Sequence, residues 1–345
     1  MRTSLHHFSL PLHQPLDVGR SAITHRAGCL VRVEDHDGHV GWGEAAPLPG
    51  LPGGDYDTVA DALAVWCAQP DRAARAALAS EPVAAAAVDT ALVSMEAARA
   101  GSSLATHLAG DQAASEVPVN ALVRGADDEA VAAEAALAVR QGFRTIKLKV
   151  GRAPIDLDLD RIAAARQAAG AGVALRLDAN RSWSLADAHA VLGTLADHDI
   201  EYLEEPTADL DDWPLLAGHG VPLAADESLA ELPDDALRLL REGHVAVLVA
   251  KIPLLSGVRP ALAAAGVATT RGARVTVTSF FDSAVGLSAA IHVAAALGGH
   301  QPAAGLATGH LFARDVATAA IPVDGVIAVP DGPGLGVEPD LDALV

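Results

Sequence analysis

The stretch TIKLKVG, residues 145–151, holds Lys147 and Lys149, two of the three lysines in the chain. The third, Lys251, stands in LVAKIP (248–253), and the other 21 of the 24 basic residues are arginine. Where only a surface cation is needed this chain uses Arg, so the lysine positions mark something an arginine cannot supply. Side chains at i and i+2 of a strand share a face. Lys147 and Lys149 therefore point one way and Leu148 the other.

Working outward, eight short apolar runs alternate with Ala-rich helical stretches. They are VPVNALV (117–123), TIKLKV (145–150), VALRLDAN (173–180), EYLEEP (201–206), VPLAADES (221–228), VAVLVAKIP (245–253), RVTVTSFFD (274–282) and a weaker AAGLATG (303–309). This alternation predicts an α/β fold, a (β/α) barrel, with an open doubly wound sheet as its rival. No G-x-G-x-x-G opens a helix after the first strand, so a dinucleotide site has no support. Residues 1–115 read as an α+β capping unit: strand-like runs turn around HDG (36–38), and helical patterns follow from 57, closed by Gly101. The barrel takes 116–312, and 313–345 is expected to pack back on the cap.

The polar residues fall at strand ends. Lys149, Asp178, Glu204, Asp226 and Lys251 are separated by 29, 26, 22 and 25 residues, one βα unit each time. Five consecutive strands thus bring a charge to the C-terminal rim, where barrel chemistry is built. Three carboxylates without His or Cys favour a hard cation, Mg²⁺ above all. A carboxylate-bound Mg²⁺ suits an enediolate formed when a proton leaves beside a substrate carboxylate. A lysine near a metal and a second ammonium has its pKa drawn from about 10.4 toward neutrality, whereas arginine stays protonated. Glu205 and Glu227, second in their doublets, are expected to face away as supporting groups.

The formal charge is −20, with 24 basic and 44 acidic residues, and no basic cluster interrupts it. A nucleic-acid or anionic-membrane surface is disfavoured. Two cysteines without metal or redox spacing, no apolar leader at the N-terminus and no unbroken apolar span predict a soluble cytoplasmic protein, monomer or homo-oligomer.

KLK (147–149), DAN (178–180), EEP (204–206), DES (226–228) and AK (250–251), with GWGEAAPLPG (41–50), resemble the enolase superfamily and its muconate-lactonizing subgroup. The resemblance covers the barrel well. It implies a modified TIM barrel under a cap, with Asp178, Glu204 and Asp226 holding Mg²⁺ (Mn²⁺ as a substitute). It also implies Lys149 as the base that then returns its proton to the leaving hydroxide, Lys251 as a cation beside the intermediate, and Lys147 tuning Lys149. TSFFDSAVGLSAAIHVAAAL (278–297), GLATGHLFARDV (305–316) and IPVDG (321–325) are similar to the subgroup's dehydratases. These act on a succinyl-bearing hydroxycyclohexadiene carboxylate in menaquinone biosynthesis, a small-molecule carboxylate substrate. Arg176 and Asn180 are then expected to orient substrate, as are Ser279, Asp282, Ser283 and Gly286, while Phe280 and Ala284 depart from the strand-seven loop pattern. Cap residues 13–26 and 48–56 are expected to line the pocket. No His ends strand seven, against a mandelate-racemase type of base. No Asp-x-Asp stands on strand eight, where the subgroup's dipeptide epimerases carry one. An N-acylamino acid racemase or dipeptide epimerase is the alternative; a Schiff-base aldolase on Lys251 and a non-catalytic metal-binding barrel are more distant ones.

Overall fold

The computed structural model of the chain describes residues 1–18, 21–51, 53–299 and 301–343. Its first part is an antiparallel sheet of β1 (Arg2–Val18), β2 (Ser21–Glu34) and β3 (Val40–Ala45). The turn into β3 is closed by Asp35, whose Oδ1 accepts from the backbone N–H of Asp37 and His39 at 2.9 and 3.0 Å. Two helices follow. Tyr56–Ala68 is started by the Asp55 side chain accepting from Thr58 N, and Pro82–Arg99 carries proline in its first turn. Gly101, at φ 67, ends the second.

After β4 (Glu116–Pro118), seven parallel strands form one sheet in sequence order. They are β5 (Ala121–Val123), β6 (Thr145–Lys149), β7 (Ala174–Asp178), β8 (Ile200–Glu204), β9 (Leu223–Ala225), β10 (Val247–Ala250) and β11 (Arg274–Val277). Near-continuous burial on both faces reads as unbroken apolar strands wrapped by helices. The expected eighth strand at 303–309 is not one. It is reduced to two isolated bridges, Val119–Ala304 and Thr278–Gly305. Four backbone hydrogen bonds nonetheless close the ring: Ala304 N to Pro118 O, Asn120 N to Ala304 O, Gly305 N to Val277 O and Ser279 N to Gly305 O, at 2.8–3.1 Å. A Cβ on Gly305 would lie 2.4 Å from Thr278 Oγ1, so the Thr278 side chain occupies the space that a side chain at 305 would need.

The tail returns to earlier elements. Strand β12 (Val326–Ala328) pairs antiparallel with β4. Leu311 and Ala313 exchange backbone hydrogen bonds with His13 and Pro11, and Gly334 does so with Ser102 and Leu104. No helix among the described residues is long and apolar enough to cross a membrane.

Candidate active centre at the strand ends

The parallel register sets Lys147 beside Arg176, and Lys149 beside Asp178, which in turn lies beside Glu204. Lys149, Asp178 and Glu204 end their strands, and Asp226 and Lys251 follow β9 and β10 directly. Lys147 Nζ donates to Glu204 Oε1 at 2.6 Å and lies 2.8 Å from Asp178 Oδ2. Lys149 Nζ donates to Asp178 Oδ2 at 2.5 Å and to Asn180 Oδ1 at 2.8 Å. Lys251 Nζ donates to Asp226 Oδ1. Three carboxylates, at most 6% exposed, therefore face three ammoniums. Buried charges are tolerable only when paired in this way.

The electrostatics follow. Burial alone would raise the Asp178 carboxyl, but Lys147 and Lys149 outweigh it and hold it far below the usual range. Burial, with Asp178 beside it, holds Glu204 well above the usual range. Lys147 and Lys251 are both raised, which for Lys251 accords with the cation expected beside the intermediate. Burial would depress both, yet Asp178 and Glu204 hold Lys147 up, and Asp226 and Glu227 hold Lys251 up. The carboxylates facing these lysines dominate the neighbouring ammoniums.

Arg176 sits one step deeper, fully buried. Its Nε donates to Glu201 Oε2 at 2.7 Å, its Nη1 to Ala303 O at 2.6 Å, and the guanidinium stacks 4.8 Å from the Tyr202 ring centroid. Glu201 reaches it because the register slips there: Leu175 pairs with Ile200 but Arg176 with Tyr202, leaving Glu201 as the extra residue. Ser279, Asp282, Ser283 and Gly286 bond one another and the cap. Ser279 Oγ donates to Asp282 Oδ2 at 3.1 Å, while the backbone N–H groups of Ser283 and Gly286 donate to Glu44 at 2.9 Å.

The two second carboxylates divide. Glu205, at φ 46, accepts from Asp226 N, Ser228 N, Ser228 Oγ and Arg181 Nε at 2.7–2.9 Å and so fixes the loop after β9. Glu227 is a correction. Strand alternation would turn it away, but Asp226 leaves the extended region at φ −115 and ψ −88, and Glu227 Oε1 accepts from Asn180 Nδ2 at 2.9 Å. Burial, with Asp226 beside it, pushes Glu227 up to about 7.

Above the centre, Leu16, Leu48 and Phe280 form an apolar cluster with Leu12, Ile23, Leu51, Leu254 and Phe281. It joins β1, β2 and the loop after β3 to the loops after β10 and β11; Gly19, Arg20 and Pro52 of the expected lining lie outside the described residues. Arg26 underlies it, with donors to Ala46 O, Pro47 O, Phe280 O and Phe281 O. The sequence places Arg26 only at the end of the stretch 13–26 expected to line the pocket and does not show what it holds, since its partners at 280 and 281 are carbonyls about 255 positions away. A second group of possible metal ligands, Asp35, Asp37 and His39, has atoms within 4.8 Å of one another; its hydrogen bonds are those of the turn before β3.

A capped (β/α) barrel with a buried lysine–carboxylate centre at its strand ends defines the class. Residues 130–343 match the family model described as enolase C-terminal domain-like, and residues 1–95 match that of the MenC N-terminal domain. The chain belongs to the enolase C-terminal domain-like family. It is 38% identical over 217 residues to an o-succinylbenzoate synthase of Mycolicibacterium smegmatis, covering 62% of this chain and 65% of that protein, slightly under two thirds of its length. To the protein of the same name from Mycobacterium marinum it is 38% identical over 65% of this chain and 69% of that one. A substrate-liganded L-Ala-D/L-Glu epimerase from Bacillus subtilis superposes with TM-score 0.86 at 27% identity, over 98% of both chains.

Proposed function

We propose that this chain is an o-succinylbenzoate synthase, a hydro-lyase that removes water from a succinyl-bearing hydroxycyclohexadiene carboxylate. The observation that carries the reading is the placement of Lys149 and Lys251 on strands separated by three others, each bonded to a different member of the carboxylate trio. The two mycobacterial relatives support the particular reaction. The functional units would be the cap at 1–115, the barrel at 116–312 and the segment 313–345.

Asp178, Glu204 and Asp226 fit a hard divalent cation. All are oxygen donors, all are buried, and Glu204 Oε2 has no hydrogen-bond partner among the described residues. They would hold Mg²⁺, with Mn²⁺ as a substitute; when bound, it supplies fixed positive charge for the substrate carboxylate. Lys149 takes the proton beside that carboxylate, and the electron pair stays on the substrate. Lys251, kept cationic by Asp226, lies beside the charge that develops. The Lys149 ammonium then gives its proton to the departing hydroxide, so water leaves and the ring becomes aromatic. Lys147 holds Asp178 and Glu204 in place, and Arg176 and Asn180 order the floor of the site. Ser279, Asp282, Ser283 and Gly286 shape the loop over the substrate tail.

The test is loss of diene absorbance with Mg²⁺ and again with EDTA. Fast, chelator-sensitive loss is expected. The likeness to the epimerase favours a second reading, exchange of the α-proton of N-acylamino acids or dipeptides. Proton NMR in D₂O reads it, and exchange without dehydration would replace the first reading.

A further inference from the structure

We propose that Glu227 is a positioning residue that keeps the lone pair of Lys149 free, acting through Asn180; this rests on the reading of Lys149 as the base. Glu227 Oε1 accepts from Asn180 Nδ2 at 2.9 Å, and Asn180 Oδ1 accepts from Lys149 Nζ at 2.8 Å. An asparagine amide donates at one end and accepts at the other, so its neighbours decide which end faces which. Glu227 Oε1 can only accept, whether or not Oε2, which has no partner among the described residues, carries a proton. It therefore draws the amide NH₂ to itself and leaves the carbonyl for Lys149. Asn180 sits at φ 43, a conformation asparagine tolerates, with its own N–H donating to Asp178 Oδ1 at 3.0 Å.

A neutral lysine amine has two N–H groups and one lone pair. Asp178 Oδ2 and Asn180 Oδ1 take both N–H groups, so the lone pair points in the one direction neither occupies. If the Asn180 amide turned over, its NH₂ would donate to that lone pair and block the base. Through this third position the N–H bond forms as the substrate C–H bond breaks. Through it the same proton later passes to the departing hydroxide, leaving water and the neutral amine.

The experiment compares the parent, Glu227→Gln, and the swapped pair Glu227→Gln with Asn180→Asp. In the single variant the new amide can donate, Asn180 is free to turn, and kcat falls roughly 10–100-fold with KM little changed. In the swapped pair position 180 only accepts, position 227 donates to it, total charge is unchanged, and most of the lost rate returns. An undiminished single variant, or a folded pair no faster than it, overturns the proposal. If the parent turns over no diene, the dehydratase reading falls, and the relay is read without substrate. Acetylation of Lys149 by acetic anhydride, located by mass spectrometry, would then be slower in the single variant and restored in the pair. Equal rates in all three proteins would overturn the proposal.

Discussion

Lys149 differs from the chain's arginines in one property that the proposed chemistry needs, a proton it can release and regain. Lys149→Arg keeps a cation for Asp178 but stays protonated at any working pH. Steady-state kinetics on the diene are expected to show kcat lower by about 10²–10⁴-fold, the contribution of a positioned acid–base group, with an unchanged thermal melt. A variant that keeps its rate would move the base elsewhere. At this scale the three lysines and three strand-end carboxylates stood out in the sequence, because each occupies a fixed place in a βα repeat. Glu227 did not, because one turn of backbone at Asp226 defeats the alternation rule. Asn180 was legible as polar and close to the site, but its place between Lys149 and Glu227 depends on two partners brought together only by folding.

Between β3 and the helix Pro82–Arg99 the two elements touch backbone to backbone. A Cβ built on Gly43 would lie 1.9 Å from Ala87 O, and one on Gly41 would lie 2.0 Å from Ala91 O. The approach lets Ser94 Oγ bond both Trp42 N and Trp42 O at 3.1 Å. GWG is therefore a packing motif, and the alanines facing it belong to the same contact; the motif was visible in sequence, its partner helix was not. Gly43→Ala is expected to cost at least the upper end of the about 1–3 kcal/mol typical of overpacking, since backbone cannot yield as a side chain does. Gly193→Ala, in the helix Leu185–Thr194 with nothing among the described residues within 4 Å of the new atom, is expected to gain about 0.5–1 kcal/mol. Urea titration reads both. The helix Ala284–Leu297 carries another checkable contact. His292 Nδ1 accepts from Ala105 N at 3.2 Å and Nε2 donates to Leu335 O at 3.1 Å, which requires the neutral ring. Burial lowers it from 6.5 to about 4. The unfolded chain then binds a proton that the folded chain refuses, so this contribution is present above pH 6.5 and is lost as pH falls toward 4. The stability difference between parent and His292→Gln should shrink by up to about 3 kcal/mol across that window; a difference independent of pH would show that the ring protonates in place.

Across the whole molecule the cap holds the barrel by reaching the starts of two barrel helices. Glu44 of β3 accepts from the N–H groups of Ser283 and Gly286, at the start of helix Ala284–Leu297. Asp89 of the cap accepts from Arg259 N at 3.0 Å, at the start of helix Val258–Thr270, and from the Arg259 and Arg75 guanidiniums. Each is a carboxylate delivered to a helix start from another part of the chain, at Ala284–Leu297 in addition to the Ser283 side chain that accepts from Val285 N, which is why GWGEAAPLPG showed that Glu44 stood in a motif but not what it held. Arg26 works in the opposite sense, a buried cation donating to carbonyls on both sides of the seam. Burial lowers it to about 10, against Asp282 and Glu44, which raise it. Arg26→Met fills similar volume but leaves the carbonyls of Ala46, Pro47, Phe280 and Phe281 without these donors, and Asp282 without its cation. Removing one member of such a buried set costs about 3–5 kcal/mol, and urea titration should show a loss of that size. The same carbonyls belong to the two loops that carry Leu48 and Phe280, so slack there would widen the roof proposed over the substrate tail. KM should therefore rise more than kcat falls, because Lys149, Lys251 and the carboxylates stand on strands that Arg26 does not touch. An equal loss in kcat, with KM unchanged, would instead mean that the seam transmits its strain down to the strand ends.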